Sequence, residues 1–174
     1  MHTYAQTIEQ WQGAYVLIGE LSATLSGLLF VAVSFNLRTI MHKGNGGLRT
    51  NAVQTFNQFV LLLEISIVFQ IPGTTETILG LSLCGLAIIA CLINLFAFRD
   101  KSATGIDRRR QLPASLLFIG VALIGLAIAS GNPEWLYLLI GLVIAILITS
   151  VFSAWGLLVE VGVDEMTQGT EPDR

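Results

Sequence analysis

Charge is scarce in this chain. Asp, Glu, Lys and Arg make up 12% of its 174 residues, where a soluble globular domain carries about a quarter, so the soluble enzymes and binding domains are excluded as a class. Histidine occurs only as His2 and His42, both outside the hydrophobic runs, which excludes an HExxH zinc site and a buried Ser–His pair. An aspartyl intramembrane protease needs two Asp residues within its spans, and Asp100, Asp107, Asp164 and Asp173 all lie outside them. The two cysteines, Cys84 and Cys91, are two helical turns apart, on the order of 10 Å and too far for a mutual disulfide, so they read as packing residues. Proline is limited to four residues at or beyond the ends of the runs, which argues against the broken helices of an alternating-access transporter. The glycine-rich segment KGNGGLRT has no Lys after its glycines and no strand before it, so it reads as a turn and not as a phosphate loop. Residues 1–12 hold no Lys or Arg, so no cationic signal start is expected and the first run is retained. The expectation is a protein that is not an enzyme, with no metal, no cofactor and no nucleic-acid partner.

What is abundant is hydrocarbon. The chain is 53% hydrophobic, with a mean hydropathy of +0.73, and its runs are each long enough to cross a core of about 30 Å. They fall at residues 14–37, 52–71, 77–98, 112–130 and 135–159. The fold class expected is an all-α membrane protein, a bundle of five transmembrane helices forming one membrane domain, with an acidic cytoplasmic tail over 161–174. Trp11 and Tyr15 bracket the start of the first span, where amphipathic rings prefer the headgroup level. Of the nine Lys and Arg residues, all but Arg174 sit in connections 38–50 and 99–111. Cytoplasmic loops collect such residues, so the N-terminus is placed outside and the C-terminus inside, with Arg108, Arg109 and Arg110 meeting lipid headgroups.

Small and polar residues form stripes along these runs. In the first span Gly19, Ala23 and Gly27 recur every four residues, and Gly13, Glu20, Gly27 and Ser34 every seven, on a neighbouring face. The second carries Gln54, Asn57, Gln58 and Glu64, with Gln54, Asn57, Leu61 and Glu64 on one face that is expected to look inward. The third has Gly80, Cys84, Ala87, Cys91 and Asn94. The fifth has Gly141, Ala145, Thr149, Ser153 and Gly156, expected to pack against the first-span seam. Pro72 and Gly73 predict a tight turn, Thr74 or Thr75 a helix cap, Pro113 a first helical turn and Asn132 a further cap.

An acid in hydrocarbon costs several kcal/mol unless it is neutralised, paired or facing water, so Glu20 is expected to point into an interior. In the five-span topology Glu20 and Glu64 both lie roughly 9–10 Å below the outer boundary. Acids at one depth can share a proton, bind a cation or ring a pore; alternatively each is protonated or hydrogen-bonded to a nearby Ser, Thr, Gln or Asn and only holds helices together. One expectation is therefore a homo-oligomeric channel for a small cation or proton, lined by Glu20, Thr24, Gln54, Asn57 and Glu64. The alternative is a non-conducting scaffold or regulator that engages a membrane protein partner or the lipid bilayer.

Residues 21–37, LSATLSGLLFVAVSFNL, resemble the first span of a group of small bacterial multi-pass proteins, of the form small-small-L-x-G-L-x-F-V-A-x-S-x-N-L. Some members are labelled modulators of the membrane protease FtsH. The resemblance covers chiefly this span and implies a bacterial inner-membrane location, while the five-span count departs from the seven-span modulators of that protease.

The partition of basic residues generates a topology prediction. A cysteine at Gly46 or Ser102 is expected to be shielded from an impermeant thiol reagent in intact cells, and one at Thr74 or Asn132 to react. Labelling at Ser102 without labelling at Thr74 would sink the arrangement.

Overall fold

The computed structural model describes residues 4–37, 46–98, 105–132 and 134–168, with side chains over 11–37, 48–96, 115–132 and 134–159. Among the described residues it is all-helical, with α1 Tyr4–Phe35, α2 Gly46–Phe69, α3 Glu76–Phe98, α4 Gly105–Ala129 and α5 Trp135–Gln168. Four helices contain stretches long and apolar enough to cross a membrane: Trp11–Phe35, Leu48–Phe69, Glu76–Phe96 and Trp135–Val159. The described apolar part of α4, Ser115–Ala129, is shorter. Large apolar side chains such as Leu28, Phe30, Leu81, Phe96, Phe152 and Trp155 stand exposed around the outside. A surface of that kind is incompatible with water and ordinary against lipid, so length and composition together mark a membrane protein. Helix is the form that such segments adopt because each satisfies its own backbone hydrogen bonds.

The helices exceed several expected bounds. Residues 4–12, expected as a polar tail, belong to α1 from Tyr4, and α2 begins at Gly46, inside the segment expected as a turn; residues 38–45 lie outside the described residues. Pro113 falls within α4 and not in its first turn. The acidic stretch expected as a tail from residue 161 continues α5 to Gln168, and residues 169–174 are outside the described set. Apolarity marks where a helix meets lipid, and hydrogen bonding carries the helix past that boundary.

The turns follow the sequence more closely. Gly73 has φ 74° and Gly131 φ 88°, the left-handed region that glycine adopts without a Cβ clash. Thr75 caps α3, its Oγ1 accepting from the Ile78 N–H at 3.4 Å, whereas Thr74 donates to the Ile71 carbonyl at 2.7 Å. Asn132 is not a side-chain cap: its Nδ2 donates to Ser130 Oγ at 3.3 Å, and its carbonyl accepts from the Trp135 N–H at 3.4 Å.

α2 is the enclosed centre of the bundle. Of its spanning window 61% is buried, against 22% for α1, 33% for α3 and 28% for α5, so the other helices are arranged around it. Antiparallel α1 meets it through Tyr15 stacked on Phe69, ring centroids 3.7 Å apart. At the far end Val33 packs on the cluster of Leu48, Ala52 and Leu157. α3 and α4 form the tightest pair. A Cβ placed on Gly80 would strike the Gly125 carbonyl, and one on Gly125 would lie 2.8 Å from the Gly80 carbonyl oxygen and 3.0 Å from Leu83 Cβ. The Cys84 thiol donates to the Ala122 carbonyl at 3.2 Å, and Asn94 Nδ2 donates to Ser115 Oγ at 3.1 Å. The small-residue stripe read on the third span thus finds its partner in α4. α5 closes the bundle, with Tyr137 edge-on to Trp11 at 5.8 Å.

Backbone-to-backbone packing of this kind leaves no room for volume. Gly80→Leu and Gly125→Leu are each expected to destabilise the chain by about 3 kcal/mol. Gly27→Leu, whose added atoms meet nothing within 4 Å, is expected to leave single-chain stability unchanged. Unfolding in mixed micelles checks this, and equal losses for all three variants would refute the packing.

Candidate functional site

The polar residues of α2 are consumed by the bundle. Asn57 Nδ2 donates to the Ala90 carbonyl of α3 at 3.0 Å. Gln58 Oε1 accepts from Ser150 Oγ of α5 at 3.0 Å. Ser66 Oγ donates to the Tyr15 carbonyl of α1 at 2.8 Å. Gln54 is buried as well, and its Oε1 has no hydrogen-bond partner among the described residues. Ser66 and Ser150 escaped the sequence reading, since isolated serines in apolar runs carry little weight there. The signal was a face count: Thr55, Phe59, Leu62 and Ser66 step by four, three and four, and all four are buried.

Glu20 is in a different situation. It stands exposed on α1, two residues from buried Ile18 on one side and buried Ser22 on the other. Each step of two residues turns the helix by roughly 200°, so the carboxyl points away from α2. Among the described residues nothing bonds it. Thr24, one turn further along, is also exposed, and its Oγ1 donates to the Glu20 carbonyl at 2.8 Å. Glu64 is half-buried on the flank of α2, one turn from exposed Ile67 and on the same side as exposed Val53 three turns away. The expected inward pair of Glu20 and Glu64 is therefore not formed within one chain. Nor do Glu20, Thr24, Gln54, Asn57 and Glu64 converge on one surface: the first two face outward, Gln54 and Asn57 are inside, and Glu64 lies at the margin.

The small-residue seams divide in the same way. Gly19 is buried, and a Cβ there would strike Ser66 Oγ, so it packs on α2 and not on α5. Ala23 and Gly27 are exposed, Gly27 with open space beyond it. On α5, Gly141 and Thr149 are exposed, while Ala145, Ser153 and Gly156 are half-buried. The expected seam between the first and fifth spans is not made. Among the described residues no group of three or more His, Cys, Asp or Glu is placed to hold a metal ion.

This geometry separates two polar residues by their contacts. Asn57→Leu, which removes the tie to α3, is expected to cost about 1 kcal/mol. Glu20→Leu, which breaks no hydrogen bond among the described residues, is expected to stay within about 0.5 kcal/mol of wild type for the monomer in micelles. The reverse ranking in an unfolding titration would show that the carboxyl has a partner within the chain.

No family model, no curated protein and no solved structure matches the chain, so what it does is read from the chemistry around Glu20.

Proposed function

We propose that the chain is a homo-oligomeric integral membrane protein that conducts a small cation or a proton. Its helices cross the bilayer five times, with the N-terminus outside and the C-terminus cytoplasmic. The observation that carries this reading is the Glu20 carboxyl on the outward face of an apolar helix. Against hydrocarbon that group costs several kcal/mol unless it is neutralised, paired or facing water, and water or another protein surface supplies the last two. Copies that bring their α1 helices around a common axis supply both, with Glu20 and Thr24 toward the path and Glu64 at its margin. Gln54 and Asn57 then hold the wall together and do not line it. The fifth crossing draws support from the length of α3 that α4 covers: contacts at Gly80, Cys84 and Asn94 extend over about 21 Å. The bacterial inner membrane is the location that the first-span resemblance implies.

A second reading is a non-conducting scaffold or regulator of a membrane partner such as a protease. It is favoured by the open, small-residue positions Gly27 and Gly141, where nothing lies within 4 Å of an added Cβ and a foreign helix approaches as easily as a second copy.

Reconstituted protein assayed for cation and proton flux across a pH series separates the two. Conduction in wild type is expected, with its loss in Glu20→Gln, since the amide keeps shape and hydrogen bonding but does not ionise. Wild type without flux removes the channel and leaves the scaffold.

A further inference from the structure

We infer that a water molecule bridges the side-chain amides of Gln54 and Asn94 inside the bundle, and that hydration of the interior stops one turn beyond them. This concerns the core of one chain and is independent of the conduction reading. Contacts run from α2 to α3, α3 to α4, α4 to α5 and α5 back to α2, so these four helices enclose a common interior. On α2, Asn57 is directed at α3 and Gln58 at α5 by their bonds to the Ala90 carbonyl and to Ser150, directions about 100° apart. Gln54, three residues before Asn57, falls about 60° from it on the Gln58 side, and so enters the space between α3 and α5. On α3, Ala90 faces α2, while Cys84 faces α4 through its bond to the Ala122 carbonyl. Asn94 falls between those two directions, about 40° from Ala90. The helices are antiparallel, so Gln54 and Asn94 lie about 4.5 Å and about 6 Å from the Asn57–Ala90 contact toward the same end of the bundle.

Two amides thus turn into one enclosed space at one level. Gln54 is 7% exposed and Asn94 2%. Neither Gln54 Oε1 nor Asn94 Oδ1 has a hydrogen-bond partner among the described residues, whereas Asn94 Nδ2 is committed to Ser115 Oγ at 3.1 Å. Both orphaned atoms are acceptors, so what satisfies them brings two donors or a positive charge. A cation would shed its hydration in a site where no described side chain is charged: Glu64 is ten residues from Gln54, about 15 Å along α2. Water is neutral and carries two O–H donors, one for each amide oxygen, the usual role of a buried water between polar groups.

The next layer offers such a molecule nothing. One turn further into the bundle stand Leu61, Ala87, Phe118 and Ile146, each 1% exposed or less. Beyond them, the buried polar side chain described on these four helices is Ser66, whose hydroxyl is already bonded to the Tyr15 carbonyl of α1. An apolar layer without polar partners stays dry. The core is therefore wet at one end only, and the interior of a single bundle is not a water path across it.

The test is water-edited solid-state NMR of isotope-labelled wild type in liposomes, which times magnetisation transfer from water to each carbon. The side-chain carbonyl carbons of Gln54 and Asn94 are expected to receive it several-fold faster than the side chains of Leu61 and Ile146, equally in sodium, potassium and choline chloride. Transfer to Asn94 as slow as to Leu61 overturns the bridge, the two amides then bonding each other directly. Shifts of both carbonyl carbons that depend on sodium or potassium overturn water in favour of a cation. Fast transfer to Leu61 and Ile146 as well overturns the dry layer. Asn94→Leu is expected to slow transfer to Gln54 toward the Leu61 rate, with Thr75 in the turn before α3 as the unchanged control; a Gln54 rate equal to wild type overturns the shared water.

Discussion

The three side-chain hydrogen bonds that α2 makes to three different helices organise this bundle. In lipid the hydrophobic effect does not drive helices together, so position is set by close packing and by polar contacts between helices. Each such contact is worth about 0.6 kcal/mol and at most about 1.7 kcal/mol, so Asn57, Gln58 and Ser66 together supply no more than a few kcal/mol. Their larger effect is on register. A helix tied at 2.8 Å to the Tyr15 carbonyl and at 3.0 Å to the Ala90 carbonyl cannot slide by a turn against either neighbour without leaving buried polar groups unpaired. The close approach at Gly19 on Ser66 depends on that register, since a shift would bring larger side chains to the same point, while the one at Gly80 on Gly125 depends on the α3–α4 register held by Cys84 and Asn94.

Because α2 spends its amides inside the chain, its polarity is mostly architectural, and the two acids are not equivalent. Glu64 is half-buried on the same helix as Asn57, one heptad along and therefore on the same side, close to where α3 packs. Glu20 sits on the far side of α1, beyond reach of the α2 network. A polar residue in an apolar helix is explained by its bonds where it has them. Asn57 and Gln58 are explained in this way, and Glu20 is not.

Much of the fold was legible in the sequence. The hydrophobic runs, the turns at Gly73 and Gly131 and the third-span stripe were all readable, because run length, left-handed glycines and a three-four spacing each leave local signatures. The placement of Glu20 was not. Periodicity says which residues share a face and is silent on which face meets protein, and in lipid the usual guide fails because lipid-facing and protein-facing surfaces are both apolar. The seam of Gly19, Ala23 and Gly27 failed for a second reason. Steps of four residues advance by about 40° beyond a full turn, so the row walks around the helix, and its first member is buried while the others are exposed. Ala87 and Asn94, a strict heptad apart on α3, drift less and both stay buried.

The energetic cost of Glu20 also bears on assembly. A carboxyl that bonds nothing among the described residues raises the free energy of a single copy in a bilayer by several kcal/mol unless it is neutralised or reaches water. Any contact that satisfies the group returns that energy to the assembled state, and about 1.4 kcal/mol corresponds to a tenfold shift in the association equilibrium. Small residues on the same face act in the same direction by letting backbones approach, but they make no demand of their own, since Gly27 facing lipid costs little. On the homo-oligomeric reading proposed above, the acid disfavours the solitary copy and the glycines make the contact feasible. On that reading the two features, placed on one face of one helix, bias the equilibrium toward a contact at that face, which neither would do if dispersed around the bundle.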